Sequence, residues 1–365
     1  MLGIKLFYLS FSIAVNDFKK DIYSEYIGLA KKFDSYWYEK IATKGYSEIR
    51  KKEDIGFSEG KDFKQSEWAF FPFYPLLNTC TIKILDIDFD KSAFIWSIVF
   101  SIISILGIYW FGLIFFQSQH KALFNSLLLF SFPFSFYFSF FYTEALFLSF
   151  VIFSFISVHY NRYFLLFILL IPLTLLRPNG IVVLLPLYLY HLEQKGILLR
   201  FKINWNDVFS LINIKQSLFF ISSPIAFLIY CIYQYKMTGF FFAFSIAQEG
   251  WYREFMFPLL AFFRRGDFAT QFNSIFAFIV IIYAIWTRKK LPLSLNMLVV
   301  LSILLPLTSG SVSSITRYVS VIFPLFMSLT LFMIGIKNKY IVLTIIILLH
   351  FMSYYGWIVN HPIAY

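Results

Sequence analysis

The stretch SAFIWSIVFSIISILGIYWFGLIFF, residues 92–116, decides the fold. It contains no acidic or basic side chain, and an α-helix of that length rises about 37 Å, more than the roughly 30 Å of a bilayer's hydrocarbon core. Downstream of it, apolar segments recur near 122–140, 143–158, 163–176, 180–191, 217–235, 270–287, 291–307, 318–336 and 340–358. Upstream there is one shorter apolar segment, at 2–15. Over the 365 residues only 14% are charged and 59% are hydrophobic, whereas a water-facing globular chain carries about 25% charge. The pattern predicts an all-α polytopic membrane protein with about eleven transmembrane helices (ten to twelve), forming a single membrane-embedded domain over residues 1–365. Within it, 1–15 is a short first helix, 16–91 a large extracytoplasmic loop with interfacial helices, and 92–358 the transmembrane bundle. Two cysteines, Cys80 and Cys231, make neither a disulfide framework nor a metal cluster.

The net charge of +11 would suggest nucleic acid or an anionic surface in a soluble protein. Here it must first be sorted by loop. With 16–91 outside, the inner loops carry Lys5, Lys121, Arg162, Lys195, Arg200, Lys202, Lys215, Arg288, Lys289, Lys290, Lys337 and Lys339 against only Glu193 and Asp207. The long loop is nearly balanced, and the short outer loops hold Arg177, Lys236, Arg253, Arg264, Arg265 and Arg317 against Glu144, Glu249, Glu254 and Asp267. Ten of the eleven positive charges thus fall on one side, which is the cytoplasmic side by the positive-inside rule. That bias accounts for the charge without nucleic acid.

Segment 69–86, with FPFYP at 71–75 and Asp86, Asp88 and Asp90 at its end, would reverse every later loop if it crossed the membrane. It reads instead as an interfacial helix on the outer leaflet. The segment from Leu2 to Val15 is short for a span; the alternatives are a retained first helix, a signal peptide with Lys5 as its charged region, and a truncated span. The abundance of Phe, Ile, Lys and Asn suits an AT-rich genome and points to a bacterial plasma membrane, with the polar face outward; in a eukaryote the corresponding place would be the lumenal face of the endoplasmic reticulum.

The polar residues that a span does not need gather on the outer side: Asp34, Glu67, Glu144, Arg177, Asn179, Gln248, Trp251, Arg253 and Arg317. Ionisable groups at such positions are costly and mark function. In FDSYWYEKIATKGY (33–46), Asp34 is either a partly desolvated general base or the N-cap of the helix that follows. In EWAFFPFYPLL (67–77), the aromatics suit an interfacial belt, which leaves Glu67 unexplained. Glu144, in PFSFYFSFFYTEAL (133–146), either complements a helix dipole or binds a substrate hydroxyl. Arg177, in LLRPNGIVVLLP (175–186), either grips a phosphate bidentately or snorkels to headgroups. Gln248, Trp251 and Arg253 share one outer loop. Arg317 and Tyr318 stand at the top of an apolar helix, where an anionic partner explains a cation better than the dipole does.

Five scattered histidines, with no clustered carboxylate partner, imply no metal. No P-loop, dinucleotide fingerprint or nucleophile elbow is present, so no cofactor is implied and phosphoryl transfer from a soluble nucleotide is disfavoured.

Taken together, these stretches resemble the PIG-V family of mannosyltransferases, whose pattern is an early Asp followed by aromatics and I-A-x-x-G-Y (Asp34 to Tyr46), A-F-F-P-x-Y-P (Ala69 to Pro75), Y-T/S-E (Tyr142 to Glu144), R-x-N-G (Arg177 to Gly180), Q-x-x-W-x-R (Gln248 to Arg253) and a Gly/Ser turn before R-Y and F-P (Gly310, Arg317, Tyr318, Phe323, Pro324). The ordered set covers about 33–326; the short first helix departs from the family. The resemblance implies a GT-C-like glycosyltransferase fold and a polyprenyl-phosphate-linked sugar donor, such as dolichyl- or undecaprenyl-phosphate mannose. It also implies inverting transfer to a glycolipid or glycan acceptor, with Asp34 as base and Arg317, with Arg177, on the lipid phosphate. Glu144, Gln248 and Trp251 would orient sugar or acceptor. Two rival readings are a lipid-linked sugar flippase or transporter, suggested by the Pro/Gly-broken segment at 172–180, and a non-catalytic scaffold.

Overall fold

The computed structural model describes residues 22–199, 202–263 and 266–362. The short first helix expected at 1–15 lies outside them. The described chain is mostly α-helical. Its helices of nine or more residues are α1 (Ile22–Ala30), α2 (Asp34–Lys44), α3 (Phe73–Leu85), α4 (Phe89–Phe116), α5 (Gln119–Phe130), α6 (Glu144–His159), α7 (Tyr163–Leu176), α8 (Leu184–Gln194), α9 (Ser222–Thr238), α10 (Phe268–Thr287), α11 (Leu293–Leu307), α12 (Phe323–Met333) and α13 (Lys339–Ile358). Among the described residues, strand is confined to two small antiparallel hairpins, β1 (Phe57–Glu59) with β2 (Asp62–Lys64), and Leu198–Leu199 with Lys202–Ile203.

Among the described residues, four helical stretches are long and apolar enough to cross a membrane: Phe89–Phe116, Leu211–Thr238, Phe268–Lys290 and Lys339–Ile358. Their packing is inverted relative to a water-soluble bundle. On α4 the buried residues include Ser92, Ser97, Ser101, Ser104, Gly107 and Gly112, while Ile95, Ile102, Leu106 and Trp110 face outward. Small residues inside let backbones approach, as helix packing in lipid requires; Ser149 of α6 donates to the Phe100 carbonyl of α4 at 3.1 Å. Ile275, Phe278, Ile279, Ile282 and Ile285 make an exposed apolar stripe on α10, and Ile341, Ile345, Leu348 and Met352 another on α13. In water such stripes would be an aggregation surface; a bilayer is their natural solvent.

Several apolar segments are broken where the sequence suggested one helix. Segment 122–140 ends its α-helix at Phe130, and the chain then turns through Pro133 into a buried 3-10 helix, Ser135–Ser139. Pro disfavours helix in the residue before it. Segment 318–336 divides into a short helix, Ile315–Ser320, and α12, which carries Pro324 in its first turn, where the missing N–H costs nothing. Segment 180–191 starts as a 3-10 helix, Pro178–Val183, before α8.

The 130–142 turn is the hub of the main core. Phe136, Phe138, Phe140 and Phe141 are fully buried, and Trp357 of α13 stacks on Phe140 at 5.2 Å while its indole N–H reaches the Leu29 carbonyl at 2.9 Å. Helix α3, expected as an interfacial helix within 69–86, has 13 residues, about 20 Å and too short to span. It packs on α2 through Tyr38 and Tyr74, 5.1 Å apart, and leaves Leu76, Ile84 and Leu85 exposed.

Connectivity sorts the charges by helix end. Helices α2 and α6 begin at Asp34 and Glu144, and α7 ends just before Arg177. Arg162, Lys195, the 288–290 triplet and Lys339 sit at the opposite helix ends. That end is tied together by Lys195 with Asn161 (2.8 Å) and by Glu193, whose carboxylate accepts from the Ser294 N–H (3.2 Å) at the start of α11.

Candidate functional site

Four ionisable side chains from four distant segments meet at one end of the bundle. Asp34 is the first residue of α2, and the cap position before it, Phe33, has φ +49° and makes no side-chain cap. The capping role for Asp34 is therefore not realised. Its Oδ2 instead accepts from Arg317 Nη1 at 2.8 Å. Arg317 Nε lies 3.1 Å from Glu144 Oε1, an ionic contact without hydrogen-bond alignment. The same Glu144 oxygen accepts from Arg177 Nη2, and Arg177 Nε donates to Thr143 Oγ1 at 2.6 Å.

The local backbone explains each placement. Pro178 ends α7 at Leu176, which puts Arg177 in extended conformation. Gly180 then folds back: a Cβ there would stand 2.0 Å from the Leu173 carbonyl oxygen. Glu144 opens α6, where a negative charge also complements the helix dipole. Arg317 lies among the rings of Tyr137, Tyr142 and Tyr318, its guanidinium carbon 5.8, 5.2 and 5.5 Å from their centroids.

Exposure grades across the cluster. The Glu144 side chain is fully buried and that of Arg177 is 9% exposed, whereas Arg317 and Asp34 reach 13% and 24%. Two plus and two minus charges make the group neutral, as burial demands. The Glu144 Oε2, Arg177 Nη1 and Thr316 Oγ1 atoms are buried with no hydrogen-bond partner.

Of the other expected residues, Trp251 comes beside α2: it meets Trp37 at 5.8 Å and Phe70 at 5.7 Å, and Trp37 stacks on Phe70 at 5.8 Å. Arg253 Nη1 donates to Gln248 Oε1 at 3.2 Å. Tyr318 lies in the field of Arg253, Arg317, Arg177 and Asp34, which joins this loop electrostatically to the four-charge cluster. The loop is held down by Gly250, packed so tightly that a Cβ would stand 2.2 Å from the Lys64 carbonyl oxygen of β2.

Glu67 stands apart from the cluster. It is buried, bonded to Lys40 Nζ (2.9 Å) and to the Ser47 N–H (2.8 Å). Burial pushes its carboxyl up, but the Ser47 and Lys40 hydrogen bonds outweigh that and hold it below its ordinary value. Its bonds brace the connection between α2 and α3. Of the tyrosine cage of Arg317, the sequence singles out Tyr318 but not Tyr137 or Tyr142 as ring partners. Tyr137 sits in a Phe/Ser run whose composition hides its place, and Tyr142 drew notice only as part of Y-T-E.

Among the described residues no group of three or more His, Cys, Asp or Glu side chains is placed to hold a metal ion. Chemically, the cluster offers a carboxylate paired to a guanidinium at a partly exposed edge, with aromatic rings beside it. Comparison of the chain with known protein families, with curated proteins and with solved structures finds no match.

Proposed function

We propose that the chain is an integral-membrane glycosyltransferase that moves a sugar, mannose by its resemblance to the PIG-V family, from a polyprenyl-phosphate donor to a glycolipid or glycan acceptor, with inversion. The observation that supports this most directly is the Asp34–Arg317 pair, 2.8 Å apart, a base and an anion ligand side by side at the end of the bundle away from the basic loops. The donor phosphate engages Arg317 and takes it from Asp34, so the arriving donor frees the base. Asp34 accepts the proton of the acceptor hydroxyl as its oxygen bonds to the anomeric carbon. The bond to the lipid phosphate breaks on the opposite face, and its electron pair leaves with the phosphate, held by Arg317. A phosphate is a good leaving group, so a single carboxylate suffices where inverting hydrolysis uses two. Gln248, Trp251, Arg253 and Tyr318 frame the place for sugar or acceptor.

The topology that goes with this reading has eleven crossings, the basic loops in the cytoplasm and the cluster facing outward from a bacterial plasma membrane. A cysteine placed within 50–60 then reacts with an impermeant thiol reagent in intact cells, and one at 288–290 does not. Membranes supplied with labelled polyprenyl-phosphate mannose test the chemistry: Asp34→Asn and Asp34→Ala lower transfer by about 10²–10⁴-fold, the range for a general base. Transfer near the wild-type rate in both would remove Asp34 from the reaction.

A further inference from the structure

We propose that Glu144 and Arg177 touch no substrate but are positioning residues, which aim the Arg317 guanidinium at Asp34. The inference concerns the resting arrangement of charges; only its consequence for donor binding rests on the glycosyltransferase reading. Glu144 is fully buried and Arg177 nearly so, so a ligand arriving from the surface meets Asp34 and Arg317 first. One oxygen, Glu144 Oε1, serves both arginines. Its charge draws the Nε edge of Arg317 to the buried side, while Nη1 turns to Asp34. Arg177 in turn fixes Glu144, and Thr143 Oγ1 fixes Arg177. The chain of contacts runs Thr143, Arg177, Glu144, Arg317, Asp34, from the core to the partly exposed edge.

Two features make the sharing meaningful. A guanidinium is planar with its donors in a rigid fork, so anchoring one edge determines where the other points. The three tyrosine rings around Arg317 offer attraction over their faces. Glu144 adds a charge on one side only, drawing the Nε edge inward, and Arg177 keeps the shared carboxylate from rotating away.

The test reads Asp34 itself. Full-length protein in detergent is treated with a water-soluble carbodiimide and an amine, and modification of Asp34 is followed by mass spectrometry of the tryptic peptide Phe33–Lys40. Arg317→Ala sets the upper rate. Glu144→Gln is expected to raise the wild-type rate about tenfold, the effect of an ordinary coupling between contacting charges. In the Arg317→Ala background it adds nothing, because its action passes through Arg317. Thr143→Val, which removes the first contact of the chain together with the one between Thr143 and Tyr38, gives a smaller rise in the same direction and serves if Glu144→Gln does not fold. A rate within twofold of wild type in folded Glu144→Gln, or in Thr143→Val where that variant must stand in, overturns the proposal. So does an equal rise with and without Arg317. Donor kinetics separate the two readings: positioning raises the donor KM in Glu144→Gln more than it lowers kcat. If wild type transfers no sugar while the labelling rates behave as stated, the glycosyltransferase reading fails and the positioning role stands.

Discussion

Helix α7 separates two buried polar groups, about 20 Å apart along its 14 residues, and they are built on opposite principles. At its Tyr163 end, Tyr163 Oη meets His191 Nδ1 at 2.9 Å, His191 Nε2 meets Asn213 Oδ1 at 2.7 Å, and Asn213 Nδ2 donates to the Val208 carbonyl at 2.7 Å. Both ring nitrogens have partners, and no formal charge is needed. At its Arg177 end, four charges meet, two of them buried, and several polar atoms go without a hydrogen bond. A neutral, matched network specifies packing at low cost. Buried ion pairs are weak stabilisers compared with apolar residues of the same shape, so stability alone does not account for the second group. A charged cluster left partly unmatched suits a place that exchanges its partners.

Breaking each group separates the two most sharply. Arg177→Ala leaves Glu144 buried with one cation fewer and is expected to cost about 3–5 kcal/mol, the penalty for orphaning a buried charge. Asn213→Ala orphans only neutral donors and acceptors and is expected to cost about 1–3 kcal/mol. Denaturant unfolding of the purified protein in mild detergent measures both. Equal costs would erase the distinction between the two ends. Gly250→Ala follows in size, at about 1–3 kcal/mol for forcing a methyl into packed backbone. Its effect should be local: faster proteolysis within residues 50–66, where β2 loses its seat on the 248–251 turn, with no change at the Tyr163 end.

How much of this was legible follows from what a sequence exposes. Glu144, Arg177 and Arg317 stood out because each is a charge at the edge of an apolar run, and edges on one side of a membrane are brought together by helix alternation. Asp34 stood out instead at the head of an aromatic segment in the long polar loop. Which charge pairs with which was hidden. Nothing in the order of residues says that Arg177 and Arg317 share one oxygen, or that Asp34 turns from its own helix to a residue 283 positions away. Tyr137, in the tyrosine cage, escaped for a different reason. A 3-10 turn buried on all sides has no amphipathic period, so Tyr137 looks like its Phe neighbours. The break in 318–336 was in principle readable, since Pro324 is a helix-start signal, but apolarity ran through it without interruption.

The smallest expected effect contrasts Glu67 with Glu144, two buried carboxylates that resemble each other in sequence context and differ in partners. The carboxylate of Glu67 is met by an ammonium and a backbone N–H, and those bonds hold its pKa below the ordinary 4.5 despite burial. A carboxyl depressed on folding adds stability above its unfolded pKa and loses it as the pH falls through the folded value. The brace between α2 and α3 should therefore be intact at neutral pH and weaken only below about pH 4.5, releasing Trp68, whose indole N–H is held by the Ser47 carbonyl at 3.1 Å. Proteolysis between residues 44 and 70, followed against pH, reports the release. Glu67→Gln keeps the shape and one acceptor but does not titrate, so its cleavage rate should start modestly higher at pH 7 and stay flat where wild type rises. A wild-type acid profile in Glu67→Gln would assign the transition to another group. On the proposed reaction, sugar transfer at pH 7 should fall far less in Glu67→Gln than in Asp34→Asn, because Glu67 braces the loop while Asp34 is the proposed base.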